Sequence, residues 1–482
     1  MPKSNLLFLF TDEQRQDTML AYGNRQIRTP NLDKLAKQGV VFRRAYVSQP
    51  VCTPSRATIM TGLYPHTSGC TSNNVPLDEK VPTIAELFSD RSYRFAYLGK
   101  WHLGDEIFAQ HGFDHWVSIE DGYRRYYRPQ RDRMQNCTHY HWLKERGFEP
   151  DVHDGEFSAF SRGKSASLPA KFSKPAFLAE RTSQFIRENA DRPFAAYVNF
   201  LEPHMPFTGP YNNLYDPEKV TLPPNFNAPP HPDEPMRCRL MREHFRSQGF
   251  GGHDLSVESG WRRLIANYWG LVTLVDEAVG RILSTLGECG LEGRTIVVFT
   301  SDHGDMMGSH RLLTKTVMFE EAVKVPLIMR IPQLRRAPRW VDCPVSQVDL
   351  APTLLDLMGQ PIPESLEGYS LRPLLERAGA PREDHVFIEW NGRDANELLS
   401  EVGQKAQAEV GKISGSRTRG VISPDGWKLN LSEADKCEFY HLPRDPGETE
   451  NLFYSGRYKR VIAQLRDRIK RWQARTGDKA AV

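Results

Sequence analysis

Asn5-Leu6-Leu7-Phe8-Leu9-Phe10 and Thr295-Ile296-Val297-Val298-Phe299-Thr300 are short apolar runs, each followed by acid: Thr11-Asp12-Glu13-Gln14 after the first, Ser301-Asp302-His303-Gly304-Asp305 after the second. Runs of this length without polar alternation read as strands buried on both faces, the kind found in parallel sheets. Working outward, Val40 to Val47, Phe95 to Gly99, Phe194 to Phe200 and Val325 to Ile331 read as further strands. Helical patterns lie between them, from Pro30 to Lys37, Ala176 to Asn189, Trp261 to Leu286 and Val348 to Met358. This alternation predicts an α/β fold with a large, mostly parallel central sheet flanked by helices. From about residue 380 the texture changes to short strands at His385 to Trp390, Trp427 to Leu431 and Phe439 to Leu442, then an amphipathic helix from Tyr458 to Trp472. An N-terminal domain over 1–380 and a small C-terminal α+β subdomain over 381–482 are therefore expected. Residues from about 103 to 175 read as irregular, and the proline-rich stretch from Pro203 to Pro235 as a long loop.

The 482 residues suit one large domain plus a smaller one. Lys and Arg number 63 against 60 Asp and Glu, a net charge of 63 − 60 = +3, which argues against a dedicated nucleic-acid or membrane-surface binder. No apolar run approaches the ~20 residues that a membrane span needs. The seven cysteines are scattered without pairing rhythm, so a disulfide scaffold is not expected. A reducing, cytoplasmic location is the simplest expectation, with the periplasm or secretion the alternative for a chain that has lost a signal segment.

In open α/β sheets, sites form at the carboxyl ends of the strands. Here those ends carry Asp12 and Glu13, Lys100-Trp101-His102, Glu202-Pro203-His204, and Asp302-His303. Singly, each acid reads as a turn or cap residue. Together they read as a cation site, because converging carboxylates repel unless a cation lies among them. In an extended chain Lys100 and His102 would face one side, suiting an anion and a proton shuttle. Val51-Cys52-Thr53-Pro54-Ser55-Arg56, running on to Thr61-Gly62, places a cysteine just before a helix expected to have Thr53 as N-cap and Pro54 as its first residue. A helix N-terminus suits a nucleophile or an oxyanion, although nearby carboxylates would raise a thiol pKa.

Cys52-x-Pro54-Ser55-Arg56 with Thr61-Gly62 resembles the motif of the formylglycine-dependent sulfatases, members of the alkaline phosphatase superfamily. Thr11-Asp12-Glu13-Gln14-Arg15, Gly99-Lys100-Trp101-His102-Leu103-Gly104, Pro203-His204, Ser301-Asp302-His303-Gly304-Asp305 and Lys315 are similar to other segments of that family. The resemblance implies an alkaline phosphatase-like catalytic domain that hydrolyses an aryl or carbohydrate sulfate ester. It also implies a maturation enzyme that oxidises Cys52 to formylglycine, whose hydrate is the nucleophile. One divalent cation is implied, Ca²⁺ first and Mn²⁺ beside it, on Asp12, Glu13, residue 52, Asp302 and His303. Lys100 and Lys315 would clamp the sulfate, Arg56 would hold the hydrated aldehyde, His204 would protonate the leaving alcohol, and His102 would act as the base that expels sulfate. Glu13 stands where many relatives have a second aspartate, and His303 where many animal relatives have asparagine.

Two rival readings accompany this one. Phosphonate monoester and phosphodiester hydrolases of the superfamily share the modified cysteine and the metal site, but resemble this chain less where they carry Tyr and Thr in place of Lys100 and His102. A non-catalytic protein that binds sulfated ligands, with Cys52 left as a thiol, is the other. No nucleic-acid or membrane partner is expected, and a homo-oligomer is left open. The basic run Tyr123-Arg124-Arg125-Tyr126-Tyr127-Arg128, with Arg131 and Arg133, is expected near the pocket mouth, where it would meet the substrate beyond its sulfate.

Overall fold

The structure, a computed structural model, describes residues 3–334, 336–376, 383–392, 413 and 415–482. Its centre is a nine-stranded sheet. The strands are β1 (Asn5–Asp12), β2 (Val40–Tyr46), β3 (Arg94–Gly99), β4 (His115–Ser118), β7 (Phe194–Pro203), β8 (Thr295–Ser301), β9 (Lys324–Arg330), β10 (Trp340–Val341) and β11 (Val345–Ser346); a separate hairpin, β5 (Val152–Asp154) and β6 (Phe157–Ala159), lies between β4 and β7. Across the sheet the order is β10-β2-β9-β8-β1-β7-β3-β4, with β11 added to β2. Strands β8, β1, β7, β3 and β4 run parallel to one another, and β9 is antiparallel to both neighbours.

Every residue of β1 and β8 is buried, as a continuous apolar run between two helical layers requires. The period of two sorts β1 between two cores. Leu6, Phe8 and Phe10 join Ala57, Met60 and Leu354 on one face, while Leu7 and Leu9 join Phe177, Val275 and Val279 on the other. The second face is covered by α1 (Pro30–Gln38) and by the helices Lys174–Glu188 and Glu258–Glu288, the first by α2 (Cys52–Thr61) and the helix Leu350–Leu357. Because β8, β1, β7 and β3 point the same way, their carboxyl ends meet at one edge of the sheet. Asp12, Lys100, His204 and Asp302 all lie there.

The C-terminal sheet is antiparallel, in the order β12 (Val386–Trp390), β13 (Thr418–Ile422), β14 (Trp427–Ser432), β15 (Glu438–His441). The helix Lys459–Thr476 packs on it through Leu465, Ile469 and Trp472. A buried ion cluster joins this sheet to the large one. Lys428 Nζ on β14 lies 3.1 Å from Glu320 and 2.8 Å from Glu448, and Glu320 also meets Lys324 at 3.0 Å and the Tyr46 hydroxyl at 3.1 Å. The fold class is the expected one. The expected domain boundary at 380/381 lies outside the described residues.

Several elements differ from the sequence reading, three of them for clear physical reasons. Strand β4 falls in the stretch read as irregular, because four residues at a sheet edge carry no readable periodicity. Strand β13 is short and carries Gly420 at its middle, which breaks the apolar pattern in sequence; an added Cβ there would lie 2.7 Å from Asn430 Oδ1. The helix Met236–Gln248 follows the prolines directly and buries Cys238, Met241 and Phe245 at helical spacing.

Gly99 ends β3 at φ +124°, and a Cβ there would sit 2.0 Å from the Asn199 carbonyl oxygen on β7. Gly99→Ala is therefore expected to destabilise the protein by about 1–3 kcal/mol, read as a lower melting temperature; an unchanged melting temperature would contradict this close approach.

Candidate active site

Helix α2 starts two residues earlier than its proline suggests. Val51 is the extended N-cap and Cys52 the first helical residue, so Pro54 occupies the third position, where its missing N–H removes a donor that has no partner within the helix. Thr53 is not the cap. Its hydroxyl donates to the His102 carbonyl at 2.8 Å and accepts from the Asn74 amide at 3.2 Å, fastening the helix start to the loop after β3. The Cys52 Sγ lies 3.2 Å from His303 Nε2 and 3.6 Å from Asp12 Oδ1. Burial, reinforced by Asp12, pushes this thiol up to about 12. The helix dipole is outweighed, and an unmodified Cys52 is protonated at neutral pH.

Arg56 follows Cys52 by one helical turn and is fully buried. Its Nη2 lies 2.8 Å from Asp12 Oδ2 and its Nε 2.9 Å from Asp302 Oδ2, while Nη1 donates to the Lys100 carbonyl at 2.6 Å and to Asn199 Oδ1 at 2.9 Å. The guanidinium thus bridges the carboxylates at the ends of β1 and β8. It does not line the cavity described below. Lys100 Nζ adds a second cation at 2.6 Å from Asp12 Oδ2. Burial opposes ionisation of Asp12, but Lys100, with His204, Arg56 and His303, brings its carboxyl well below the usual range.

Donor atoms of Asp12, Cys52, Asp302 and His303 lie within 4.8 Å of one another, all four residues being buried. His303 Nδ1 sits 2.9 Å from the Gly304 carbonyl, to which it can only donate, so Nε2 carries the lone pair. That nitrogen lies 3.6 Å from both Asp12 Oδ1 and Asp302 Oδ1. Two carboxylates and a correctly oriented imidazole fit a divalent cation, and the Gly304 carbonyl supplies the outer hydrogen bond that such histidines need. Glu13 is placed differently. Its Oε2 accepts from Lys315 Nζ at 2.9 Å and lies 3.5 Å from His204 Nε2, so it groups with Asp12 and His204 rather than with Cys52 and Asp302. Burial pushes the Glu13 carboxyl up to about 8 although Lys315 opposes this.

A cavity of about 970 Å³ opens on Cys52 and is lined by Lys100, His102, His204, Lys315 and Asn74 among others. Both histidines are held neutral, well below the ordinary histidine range: burial and Lys100 act on His102, burial and Lys315 on His204. His204 Nδ1 donates to the Met205 carbonyl at 2.8 Å, leaving Nε2 as its free lone pair. His102 Nε2 lies 3.0 Å from Asn74 Oδ1, and its Nδ1 has no hydrogen-bond partner among the described residues. Lys100 and Lys315 stay charged despite burial, Lys100 beside Asp12 at 2.6 Å and Lys315 beside Glu13 at 2.9 Å.

The extended-chain argument for Lys100 and His102 does not hold. His102 has φ +60°, so the chain turns after β3, and both side chains reach the cavity by that turn. Glu106, which sequence reasoning missed, holds the turn by accepting from the amides of Trp101 at 2.7 Å and His102 at 2.6 Å. Thr314 and Thr316, at φ +65° and +79°, flank Lys315 in a conformation costly for β-branched residues. Asn74 was also missed, although a pair of asparagines soon after the cysteine helix was a visible signal. Nothing in the sequence pointed to the Glu120–Arg162–Lys174 cluster at the cavity wall. The basic run divides: Tyr123, Arg124, Arg125 and Tyr126 line the cavity, whereas Arg128 and Arg131 turn onto Asp105 at 2.6 and 2.9 Å, outside it.

Known proteins resemble this chain in sequence and in fold. YidJ of Escherichia coli K12, an uncharacterized sulfatase, is 29% identical over 486 residues, covering 97% of this chain and 87% of YidJ. The structure of BT4656 in complex with its substrate D-glucosamine-2-N,6-O-disulfate has the same fold, with a TM-score of 0.78 at 22% identity over 99% of each chain. The phosphonate monoester hydrolase SpPMH from Silicibacter pomeroyi shares that fold, with a TM-score of 0.77 at 24% identity over 98% of this chain and 96% of its own. The family model described as Sulfatase matches residues 4–360, a span that runs from the first strand through the cysteine helix and both acidic strand ends. The chain belongs to the sulfatase family of sulfuric ester hydrolases, within the alkaline phosphatase superfamily.

Proposed function

We propose that this chain hydrolyses an aryl or carbohydrate sulfate monoester to the alcohol and inorganic sulfate, with residue 52 as formylglycine and one divalent cation, Ca²⁺ before Mn²⁺. One observation carries the reading: Asp12, Cys52, Asp302 and His303 converge beneath a cavity that Lys100, Lys315, His102 and His204 also line. The sulfated sugar bound by BT4656 supports an ester of this class. The cation, held by Asp12, Asp302, His303 and residue 52, supplies Lewis-acid polarisation of a sulfate oxygen. The formylglycine hydrate supplies an oxygen nucleophile and a second hydroxyl, which a protonated thiol cannot. Maturation then requires a formylglycine-generating enzyme as partner.

The chain's own groups divide the remaining work. Lys100 and Lys315 oppose the charge on the sulfate oxygens, in a buried setting where a fixed cation counts for more than it does in water. Arg56 holds the Asp12 and Asp302 side chains in place from between them. His204 Nε2 carries a lone pair 3.5 Å from Glu13, whose carboxyl is pushed up to about 8; a proton taken up at Nε2 from Glu13 is the one His204 passes to the leaving oxygen. His102, neutral and with Nδ1 unpartnered, accepts the proton of the second hydroxyl as sulfate departs. Lys100 and His102 also favour sulfate over phosphonate, since the rival hydrolases were expected to carry Tyr and Thr there.

Three outcomes test this reading. A mass spectrum of the peptide holding residue 52 should show formylglycine in active enzyme, and Cys52→Ala should remove nearly all turnover while leaving the melting temperature close to wild type; full activity with an unmodified thiol would contradict it. Asp302→Ala should lose bound metal, by elemental analysis, and activity together, whereas full activity after exhaustive chelation would count against a metal enzyme. Wild type should prefer 4-nitrophenyl sulfate to the matching phenylphosphonate in kcat/KM, and Lys100→Ala should lower the sulfate value roughly a hundredfold. His102→Ala should release one equivalent of phenol in a burst and then turn over slowly. A wild-type preference for the phosphonate, with Lys100→Ala still active on sulfate, would favour the phosphonate hydrolase instead.

A further inference from the structure

The cavity is far larger than a sulfate group requires, and the charges along its wall are not all balanced. Arg162 pairs with Glu120, which also takes Lys174. Arg124 pairs with Asp154 on the β5–β6 hairpin and lays its guanidinium 3.8 Å above the Phe157 ring. Lys100 and Lys315 are held by Asp12 and Glu13. Arg125 differs from all of these: it is exposed, lines the cavity, and has no carboxylate partner among the described residues. The other arginines of its run are engaged elsewhere, Arg128 and Arg131 by Asp105 and Arg133 by the Tyr127 carbonyl.

Position and shape add to this. Arg125 sits two residues after Tyr123, whose ring centroid lies 4.4 Å from that of His102, and it lines the same cavity as Cys52, Lys100 and His102. Its guanidinium stacks on Tyr126, 4.7 Å from the ring centroid. Stacking holds the planar group by its face and leaves its edge N–H donors free for a planar or tetrahedral oxyanion. A cation ordered by an aromatic ring, with no acid to neutralise it, is complementary to a ligand that brings its own negative charge.

We propose that the organic part of the natural substrate carries a second anion, a carboxylate or another sulfate, and that Arg125 binds it. This rests on the sulfatase reading above and narrows it to doubly charged esters. A charge-assisted hydrogen bond of this kind corresponds to about tenfold or more in affinity.

The test uses competition against 4-nitrophenyl sulfate turnover. The competitors are glucosamine 6-sulfate, glucosamine-2-N,6-O-disulfate, and a 6-sulfated disaccharide with and without a uronate carboxylate. On wild type, at least one dianionic sugar should bind about tenfold tighter than its monoanionic parent, and whether the sulfate or the carboxylate pair shows it identifies the anion. Arg125→Ala should bring that ratio close to one, Arg125→Lys should restore part of it, and Arg128→Ala, outside the cavity, should leave it unchanged. Wild type that ranks mono- and dianionic sugars alike, or Arg125→Ala that keeps the preference, overturns the assignment. Wild type that releases sulfate from neither 4-nitrophenyl sulfate nor any of the sulfated sugars overturns the sulfatase reading itself, and the second anion with it.

Discussion

The arrangement depends on one buried bridge. Asp12 and Asp302 end neighbouring parallel strands, and two carboxylates brought that close in a dry interior repel. Arg56 lies between them, 2.8 Å from one and 2.9 Å from the other, with essentially no exposure of any of the three. Removing one partner from such a buried set typically costs about 3–5 kcal/mol, because a charge is then left without compensation. Since Arg56 is one helical turn after Cys52, the contact that reconciles the strand ends also fixes where residue 52 stands. The ends of β1 and β8, the start of α2 and the chemistry of Cys52 are therefore one constraint.

Around that bridge the protein separates its charges by role. The lysines stay cationic because each has a carboxylate within 3 Å, while the histidines lose their protons to burial and to those same lysines. An approaching sulfate ester therefore meets fixed positive charge and neutral imidazoles able to move protons. The backbone strain fits the same picture. Glu13, His102, Thr314 and Thr316 all sit at positive φ, and each belongs to a loop that carries one of these groups to the cavity.

Much of this was legible from local sequence. Asp12 and Asp302 announced themselves by following unbroken apolar runs, and Cys52, Pro54 and Arg56 by their spacing. Local reasoning failed where contacts are distant or where the backbone departs from the expected state. Lys100 and His102 were argued from an extended chain, yet His102 turns at φ +60° and is held by Glu106, a carboxylate that reads as an ordinary loop acid. Glu120 meets Arg162 and Lys174 across 42 and 54 residues, and no pattern in the sequence joins them. Arg124 and Arg128 look equivalent in the basic run, but Asp105 draws the second out of the cavity.

Anomalous diffraction from crystals of the enzyme loaded with Mn²⁺ would test the central arrangement most directly. A single strong peak within coordinating distance of Asp12, residue 52, Asp302 and His303 is the predicted result. A peak at Glu13 and His204 instead, or none near Cys52, would show that the four converging donors are not the reaction centre.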